Sequence, residues 1–390
     1  MMMYLQPPVG NKTVLGRPGT SPAGFAALEN WRPAWFASGT AALAAALGAA
    51  IQMRPVENPL AIMPAYGCPD LVAAARFAGA EPCFVDLEPE SLVMDLEALQ
   101  AALEGNATVV ALIGIDLFGL PERWQEIRRL CDQYNVVCIR DCAQSLQTPE
   151  SIDADVESDI RIYSFGRGKP LYLQGGGAVL VSSRPGKRFS QNLDVATDDL
   201  PQRRQSVSRL VNGLYNAALQ PRLYSLIALL LGDRLGDTRY EPLDTLEIPQ
   251  SGFDAAANAA IQRFWVAFEN RQEEFMRVLQ DIGSAVGAPS LPFDEDVASD
   301  CRLLRMPLLM RNSKERDVCI DKLRKCGISA TPMYGRALPA IEGVGADIDI
   351  SSFPVANDIA ARLVTLPVHA GMRARDFQAI KKILESVAPT

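Results

Sequence analysis

Short apolar runs alternate with helical stretches from Trp35 to about Ser183. The runs are rich in β-branched and aromatic residues and are bounded by Gly, Pro or polar residues, a pattern typical of buried strands. In chain order they are AWFAS, LAIMP, EPCFVD, TVVALIGI, VVCIRD, DIRIYSF and GAVLVS. Because helical stretches separate the runs, the pattern predicts an α/β domain with a seven-stranded, mostly parallel sheet covered by helices.

The helical stretches are recognised by composition and by their first residues. Thr40 to Ile51 is rich in Ala, the strongest helix former. Asp95 to Leu103 is also predicted to be helical. Pro121 to Tyr134 begins with a proline, which suits the first turn of a helix.

The pattern changes after Ser183. A polar stretch is followed by an apolar helix at Leu223 to Gly232 and by a Pro-punctuated connection at Tyr240 to Gln250, where we expect irregular structure. Ala255 to Ile282 is predicted to form one long helix. The remainder predicts strand, helix, strand and helix in CRLLRMPLLM, SKERDVCIDKLRKCG, ISATPMY and DFQAIKKILESV. We therefore expect an N-terminal arm at 1–24, a large domain at 25–250 with an atypical 190–250 segment, and a small α/β domain at 251–390.

Composition and charge exclude several classes of protein. The formal net charge is −8 and Lys and Arg are not clustered, so we expect no nucleic-acid partner. The chain has a single histidine, His369, and eight cysteines without CxxC spacing, so we expect no metal site and no Ser-His-Asp mechanism.

The start of the chain and its most apolar run indicate where in the cell the protein is expected. The start, MMMYLQPPVG, lacks the basic and apolar regions of a signal peptide, so we expect a cytoplasmic protein. The run from Leu223 to Gly232 has about half of the roughly twenty residues needed to span a bilayer. We therefore expect no membrane partner and a buried or dimer-facing helix there, with a membrane-surface role as the alternative.

Four elements lie at predicted strand ends, where open α/β sheets bind ligands. Ser38 to Thr40 precedes the Ala-rich helix, so its backbone N–H groups could hold a phosphate, or Ser38 could simply cap the helix. Asp141 ends an apolar strand and either pairs with a cation or caps a turn. Lys169 lies in a Gly-rich loop and is either a desolvated nucleophile or a solvated lysine. Gly175 to Ala178 permits close backbone approach.

The order of the motifs resembles the DegT family of pyridoxal-phosphate-dependent aminotransferases, best known for aminating keto-sugars attached to nucleotides. The motifs are SGT, PAY...AGAEPCFVD, DLFGLP, RDCAQS, YSFGRGKPL, GGGAVLVSS and the C-terminal FPVANDIAARLVTLPVHAGM. The resemblance covers about residue 35 to the end apart from roughly 190–250. It implies fold type I, pyridoxal 5'-phosphate as cofactor, and a homodimer with shared active sites.

The resemblance also implies roles for individual residues. Lys169 would be the Schiff-base lysine that moves the proton, and Asp141 would keep the pyridine nitrogen protonated. Gln144 would touch the cofactor's 3-hydroxyl. The phosphate would be held by Gly39, Thr40, Ala41 and Ser164, with Arg167 adding charge there or to a substrate acid.

Two positions depart from the family pattern. Cys68 occupies the position of the aromatic residue that usually stacks on the pyridine ring, and Tyr66 is the nearby replacement. Ser251 occupies the position of an asparagine that reaches the phosphate of the neighbouring subunit. We expect Ser251, or Asn212 in the atypical segment, to approach the partner's phosphate.

The implied function is transfer of an amino group from an amino acid, with glutamate as the expected donor, to a keto or aldehyde group of a nucleotide-linked keto-sugar. Alternatives are a non-sugar biosynthetic aldehyde or ketone as acceptor, and a non-transaminating relative that binds the cofactor. His369, in TLPVHAGM, is expected to close a turn rather than to take part in catalysis.

Overall fold

A seven-stranded sheet lies at the centre of the protein, with the strand order β1-β7-β6-β5-β4-β2-β3. The computed structural model describes residues 4–15, 23–184, 186–195, 200–203, 207–231, 238–282, 290–293, 301–345 and 348–387. The strands are β1 (Trp31–Phe36), β2 (Leu60–Pro64), β3 (Glu81–Val85), β4 (Val109–Ile115), β5 (Val137–Asp141), β6 (Ile160–Ser164) and β7 (Gly177–Ser182). All seven strands predicted from the apolar runs are confirmed, and so is the α/β class.

The sheet is parallel except for β7, which runs antiparallel to both of its neighbours, β1 and β6. The carboxyl ends of the other six strands therefore meet at one edge. Gly177, at the start of β7, pairs with Phe36 on one side and with Ser164 on the other. This pairing brings the end of β6 next to the start of the helix that follows β1.

Helices cover the sheet. Those of the N-terminal part are α1 (Gly39–Met53), α2 (Asp70–Ala78), α3 (Leu96–Gly105), α4 (Trp124–Tyr134), α5 (Pro149–Asp153) and α6 (Gly186–Val195). Nine residues of α1 are buried, mostly alanines, because this helix packs between the sheet and α2. Small side chains allow that close packing, which explains why the predicted Ala-rich helix is apolar on nearly every side.

The middle of the chain forms two short helices, α7 (Arg209–Ala218) and α8 (Pro221–Leu231), and a minimal parallel pair, β8 (Gln202–Arg203) and β9 (Ile248–Pro249). The predicted apolar helix corresponds to α8, whereas Gly232 lies outside the described residues. Within the part of the chain that the structure describes, every helix is too short or too polar to cross a membrane.

The predicted long helix from Ala255 to Ile282 is wrong, because two helices form there, α9 (Phe253–Ala267) and α10 (Gln272–Ile282). Between the two helices, Phe268 has an extended backbone conformation. The Arg271 N–H donates to the Val368 carbonyl at 2.6 Å. The Arg271 N–H, which would be hydrogen-bonded within a continuous helix, is thus bonded to a distant segment. Before the break, α9 packs with Phe25 and Tyr163 in a cluster under the large sheet.

The C-terminal part pairs β10 (Arg305–Leu309) with β11 (Leu363–Pro367) in antiparallel fashion. Three helices accompany them: α11 (Ser313–Lys325), α12 (Pro354–Arg362) and α13 (Ala374–Val387). The strand predicted in ISATPMY is wrong: the segment makes only isolated bridges, from Ile328 to Gln6 and from Thr331 to Thr365. Pro332 has no N–H to donate and Met333 has a φ of 55°, so the segment leaves the extended conformation. The division into arm, large domain and small domain stays a prediction.

Candidate active site

Ser38 caps the first helix at the carboxyl edge of the sheet. Its Oγ accepts a hydrogen bond of 3.0 Å from the Ala41 N–H, as the capping alternative expects. The first-turn N–H groups of a helix have no acceptor within the helix, and its dipole favours an anion there. Thr40 lies in this first turn, half-buried. The site thus combines a capped helix with a position suited to an anion.

Ser164 faces this helix start. A Cβ added to Gly39 would lie 2.6 Å from the Ser164 Cβ and 2.9 Å from its Oγ, so only glycine allows the two segments to approach this closely. The close approach predicted for the Gly-rich segment is also present, because a Cβ on Gly177 would lie 2.3 Å from the Ser38 carbonyl oxygen. Gly39, Ser164 and Ser38 therefore form one cradle.

Asp141 ends β5 and is 8% exposed. Its Oδ1 accepts a hydrogen bond of 2.8 Å from the Ala143 N–H, which corresponds to the turn-capping alternative. Burial raises the pKa of this carboxyl to about 6, while the positive charge of Lys169 lowers it. A cationic partner would stabilise the charged form of such a buried carboxyl, which has only one short hydrogen bond.

Lys169 lies half-buried in the loop between β6 and β7. The loop is folded back on itself, since the Leu173 N–H donates to the Phe165 carbonyl at 2.9 Å and Gly168 has a φ of 74°. The charge of Lys169 acts on both Asp141 and Cys68, which places the amine on the side of these two residues. Lys169, Asp141 and Cys68 are far apart in sequence, and the strand ends bring them together.

Gln144 connects the sheet to the C-terminal part of the chain. It is buried, its Oε1 accepts from the Phe118 N–H at 3.1 Å, and its Nε2 donates to the Tyr334 hydroxyl at 2.8 Å. The ring centroid of Tyr334 lies 5.3 Å from that of Tyr66, at an interplanar angle of 64°. The hydroxyl of Tyr66 is buried without a hydrogen bond of normal geometry in the described residues.

Cys68 lies close to this group. Burial, and next the charge of Asp70, raise the pKa of its thiol to about 12, against a smaller opposing effect of Lys169. The thiol is therefore protonated at neutral pH. Cys68 provides no aromatic face, and Tyr66 is the aromatic side chain that the structure places near it, together with Tyr334.

Sequence reasoning missed two residues of this site. Tyr334 lies in a segment predicted to be a strand, and only the docking of the C-terminal part brings it to Gln144. Asp116 belongs to the DLFGLP motif but received no role. Its N–H donates to the Asp141 carbonyl at 2.9 Å, and its carboxylate accepts from Arg140 Nε at 3.0 Å. Asp116 thereby fixes the backbone at the end of β5.

Two predicted site residues are exposed in this single chain. Arg167 is exposed on the loop, and its charge acts on Tyr215 of α7. Ser251 is exposed just before α9. Asn212 is buried, and its Nδ2 donates to the Thr13 carbonyl of its own chain at 2.8 Å.

His369 lies in a turn, as expected. Its ring is buried, with Nε2 3.0 Å from the Pro7 carbonyl oxygen, while Nδ1 accepts from the Gly371 N–H at 3.1 Å. Burial lowers the pKa of the imidazole to about 4. A neutral ring with its proton on Nε2 can donate to the Pro7 carbonyl while Nδ1 accepts from Gly371. The contact with Pro7 holds the N-terminal segment against the turn.

Solved structures share this fold. The DesV structure from S. venezuelae superposes with a TM-score of 0.67 over 93% of this chain and 86% of that chain, at 16% identity. Curated relatives match over shorter stretches. The aminotransferase EpsN of Bacillus subtilis, described as putative, is 38% identical over 27% of this chain and 28% of its own length. The UDP-N-acetyl-3-dehydro-alpha-D-glucosamine 3-aminotransferase of Acidithiobacillus ferrooxidans is 30% identical over 38% of this chain and 39% of its own length.

The matched stretches thus span less than half the length of these two relatives. A family model covers much more of the chain, at residues 33–196 and 255–385, and leaves out the segment that contains α7 and α8. That gap agrees with the atypical segment recognised in the sequence. Since the model matches well over half of the chain, the protein belongs to the DegT/DnrJ/EryC1/StrS aminotransferase family.

Proposed function

We propose that this protein is a pyridoxal-phosphate-dependent aminotransferase that passes an amino group from an amino acid to the keto group of a nucleotide-linked sugar. The observation that carries the proposal is the buried Asp141, whose pKa is raised by burial and lowered by Lys169 beside it. In a member of this family, a buried acid and a lysine amine at the carboxyl edge of the sheet are the two groups that the chemistry requires.

The residues present fit the cofactor. The cradle between Gly39 and Ser164 would be filled by a single added Cβ, so glycine keeps it open beside the helix start, where a phosphate binds well. The buried Tyr66 hydroxyl has no hydrogen bond of normal geometry in the described residues, which leaves a polar atom for a ligand. Thr40 and Ser164 would hold the phosphate. Ala41 would have to share its N–H with Ser38.

When bound, the cofactor supplies an electron sink that stabilises negative charge on the carbon bearing the amino group. Asp141 would hold a proton on the ring nitrogen. Lys169 Nζ would hold the cofactor covalently at rest and, once released, would move a proton at the reacting carbon. Gln144 Nε2 keeps a second hydrogen, beyond the one donated to Tyr334, for the 3-hydroxyl. Cys68 and Tyr66 would pack against the ring.

The nucleotide-sugar acceptor is supported by the names of relatives. Besides the UDP-sugar enzyme, a GDP-perosamine synthase of Vibrio cholerae is 26% identical over 37% of this chain. Glutamate is the proposed donor, on the family resemblance. A non-sugar aldehyde or ketone is the second candidate acceptor, favoured by the α7–α8 segment, which lies outside the family match.

The proposal includes a cytoplasmic homodimer with shared active sites. Ser251 is exposed and is therefore available to a second subunit. Asn212 is the weaker candidate for this contact, because its amide is bonded to Thr13 of its own chain. Arg167 is exposed and fits an acidic group of the substrate better than the phosphate cradle.

The test of the acceptor uses two half-reactions. The protein is loaded with cofactor, converted to the amino form with glutamate, freed of small molecules and offered a panel of UDP-, GDP- and dTDP-linked keto-sugars and non-sugar aldehydes. We expect the visible absorption of the lysine-bound cofactor to return with a nucleotide-linked keto-sugar. Return only with non-sugar carbonyls supports the second acceptor, and no conversion by any amino donor contradicts the aminotransferase.

The role of Lys169 has its own test. Borohydride reduction of the loaded wild-type protein should leave the cofactor attached to the peptide that contains Lys169. Lys169→Ala should remove this label and the amino transfer while leaving the unfolding curve intact. Lys12→Ala, at an exposed lysine, is the control and should keep both. Labelling that persists in Lys169→Ala would show that another amine binds the cofactor.

A further inference from the structure

The α7–α8 hairpin, residues 209–231, is fixed to the rest of the chain by its inner side. Asn212 Nδ2 and Asn216 Nδ2 each donate to the Thr13 carbonyl at 2.8 Å. The Leu5 N–H donates to Ser225 Oγ at 2.6 Å. These bonds determine which face of the two helices is turned outward.

The outward face is apolar. Leu229 is 80% exposed and Leu210 is 74% exposed. The face is formed by side chains three or four positions apart in each helix, namely Leu210, Leu214, Leu223, Leu226, Leu229 and Leu230. So many exposed leucines on two neighbouring helices mark a surface that contacts another apolar phase or molecule.

The charged residues of the hairpin itself are all positive. Residues 209–231 contain two arginines and no acidic residue, in a chain whose net charge is −8. Arg209 and Arg222 are exposed on the two helices. The guanidinium of Arg222 lies 5.5 Å from the ring centroid of Tyr4, and Tyr4 is itself exposed. Leucines, arginines and a tyrosine on one surface are the composition of a helix that lies at a membrane interface.

We propose that the α7–α8 hairpin docks on the surface of a lipid bilayer that contains anionic phospholipids. The sequence pattern allowed either a dimer contact or a membrane-surface contact here, and the charges favour the bilayer. A symmetric contact between two hairpins would place arginines near arginines with no carboxylate from either hairpin. Helices of 10 and 11 residues are about half of what spans a bilayer, so they would lie along its surface.

This proposal differs from the expectation of no membrane partner and does not depend on the aminotransferase reaction. The hairpin lies in the segment outside the family match, so the docking would be a property of this chain. An enzyme held there would meet substrates at the cytoplasmic surface of the membrane. Attraction between arginines and anionic headgroups makes the binding depend on salt.

The test is co-sedimentation of the 390-residue, cofactor-loaded protein with vesicles of phosphatidylcholine alone or mixed with phosphatidylglycerol. We expect binding to the mixed vesicles, weakened by salt, and much weaker binding to phosphatidylcholine alone. Leu226→Glu/Leu229→Glu should weaken binding by about a hundredfold. Arg209→Gln/Arg222→Gln should weaken it by about fivefold for each arginine.

The control is Val156→Glu/Val318→Glu, which changes two exposed valines away from the hairpin and should bind like the wild type. Absence of binding to mixed vesicles overturns the proposal, and so does binding unaffected by both hairpin variants. Light scattering tests a second copy as the occupant. A lower mass for Leu226→Glu/Leu229→Glu than for the wild type, without vesicle binding by either, would assign the face to self-association and overturn the proposal.

Discussion

Gln144 Nε2 donates a hydrogen bond of 2.8 Å to the hydroxyl of Tyr334. The bond joins a residue just after β5 to one in the C-terminal part of the chain, and Tyr66 lies beside it with its ring centroid 5.3 Å from that of Tyr334. The candidate active site is therefore closed by side chains from both parts, and its geometry depends on how they dock.

The two tyrosines should respond differently to loss of the hydroxyl. Tyr334→Phe leaves Gln144 without its partner and should lower the free energy of unfolding of the cofactor-free protein by about 1 kcal/mol. Tyr66→Phe removes a buried hydroxyl that has no hydrogen bond of normal geometry among the described residues, so it should be neutral or stabilising. Urea unfolding measures both. Equal destabilisation by the two changes would contradict the assignment of the hydrogen bond.

Asp141→Asn should preserve the fold and slow amino transfer by on the order of a hundred- to thousandfold, because a neutral amide does not stabilise a protonated ring nitrogen. Single-turnover rates with glutamate measure the effect. Asp70→Asn, at an exposed carboxylate near Cys68, is the control and should stay near the wild type. A rate for Asp141→Asn within a few fold of wild type would remove Asp141 from the mechanism.

The pKa of Asp141 also predicts a pH dependence of stability in the cofactor-free protein. Burial raises this pKa from 3.8 to about 6, so the folded state binds the proton more tightly than the unfolded state does. The stability contributed by the group is present below about pH 4 and is lost as the pH rises through about 6. Above pH 6, Asp141→Asn should therefore be more stable than wild type by on the order of 3 kcal/mol.

Unfolding curves of the two cofactor-free proteins should accordingly converge near pH 4. A difference between them that does not change with pH would contradict the buried, proton-binding state of Asp141. The comparison requires no catalytic activity, so it tests the electrostatics of the site separately from the proposed reaction.

Gly39 and Gly48, both in α1, provide a variant and a matched control for testing the cradle. A Cβ on Gly39 would lie 2.6 Å from the Ser164 Cβ, so Gly39→Ala should destabilise the protein by about 1–3 kcal/mol and weaken cofactor binding. Gly48 has no atom within 4 Å of an added Cβ, so Gly48→Ala should stabilise the helix by about 0.5–1 kcal/mol. Thermal unfolding and cofactor titration measure both. Wild-type cofactor affinity in Gly39→Ala would exclude the cradle as the phosphate site.

The proposed homodimer predicts a light-scattering mass of twice the 42.3 kDa chain. Ser251→Trp should block the approach of Ser251 to a second subunit and lower activity. Mixing it with Lys169→Ala under conditions of subunit exchange should restore part of the activity, because some hybrid sites then carry neither change. Full activity at the mass of a single chain would contradict shared sites.

Much of the fold follows from local sequence pattern. The seven strands of the large sheet and the three helices predicted at 40–51, 95–103 and 121–134 are confirmed, because each signal lies within a few consecutive residues. Two predicted elements were wrong. The helix from Ala255 to Ile282 is broken where Arg271 bonds to Val368, and ISATPMY forms no strand because Pro332 and Met333 turn the backbone.

The sequence by itself determined the positions of Asp141, Lys169 and Ser164, since Asp141 and Ser164 end strands that the apolar pattern defines and Lys169 follows the second of these strands. Only the tertiary structure decided that Lys169 lowers the pKa of Asp141 and that Tyr334 meets Gln144. It also decided that the leucines of α7 and α8 face outward. The physical reason is that strand and helix formation depends on neighbours in sequence, whereas charge interactions, burial and exposure depend on neighbours in space.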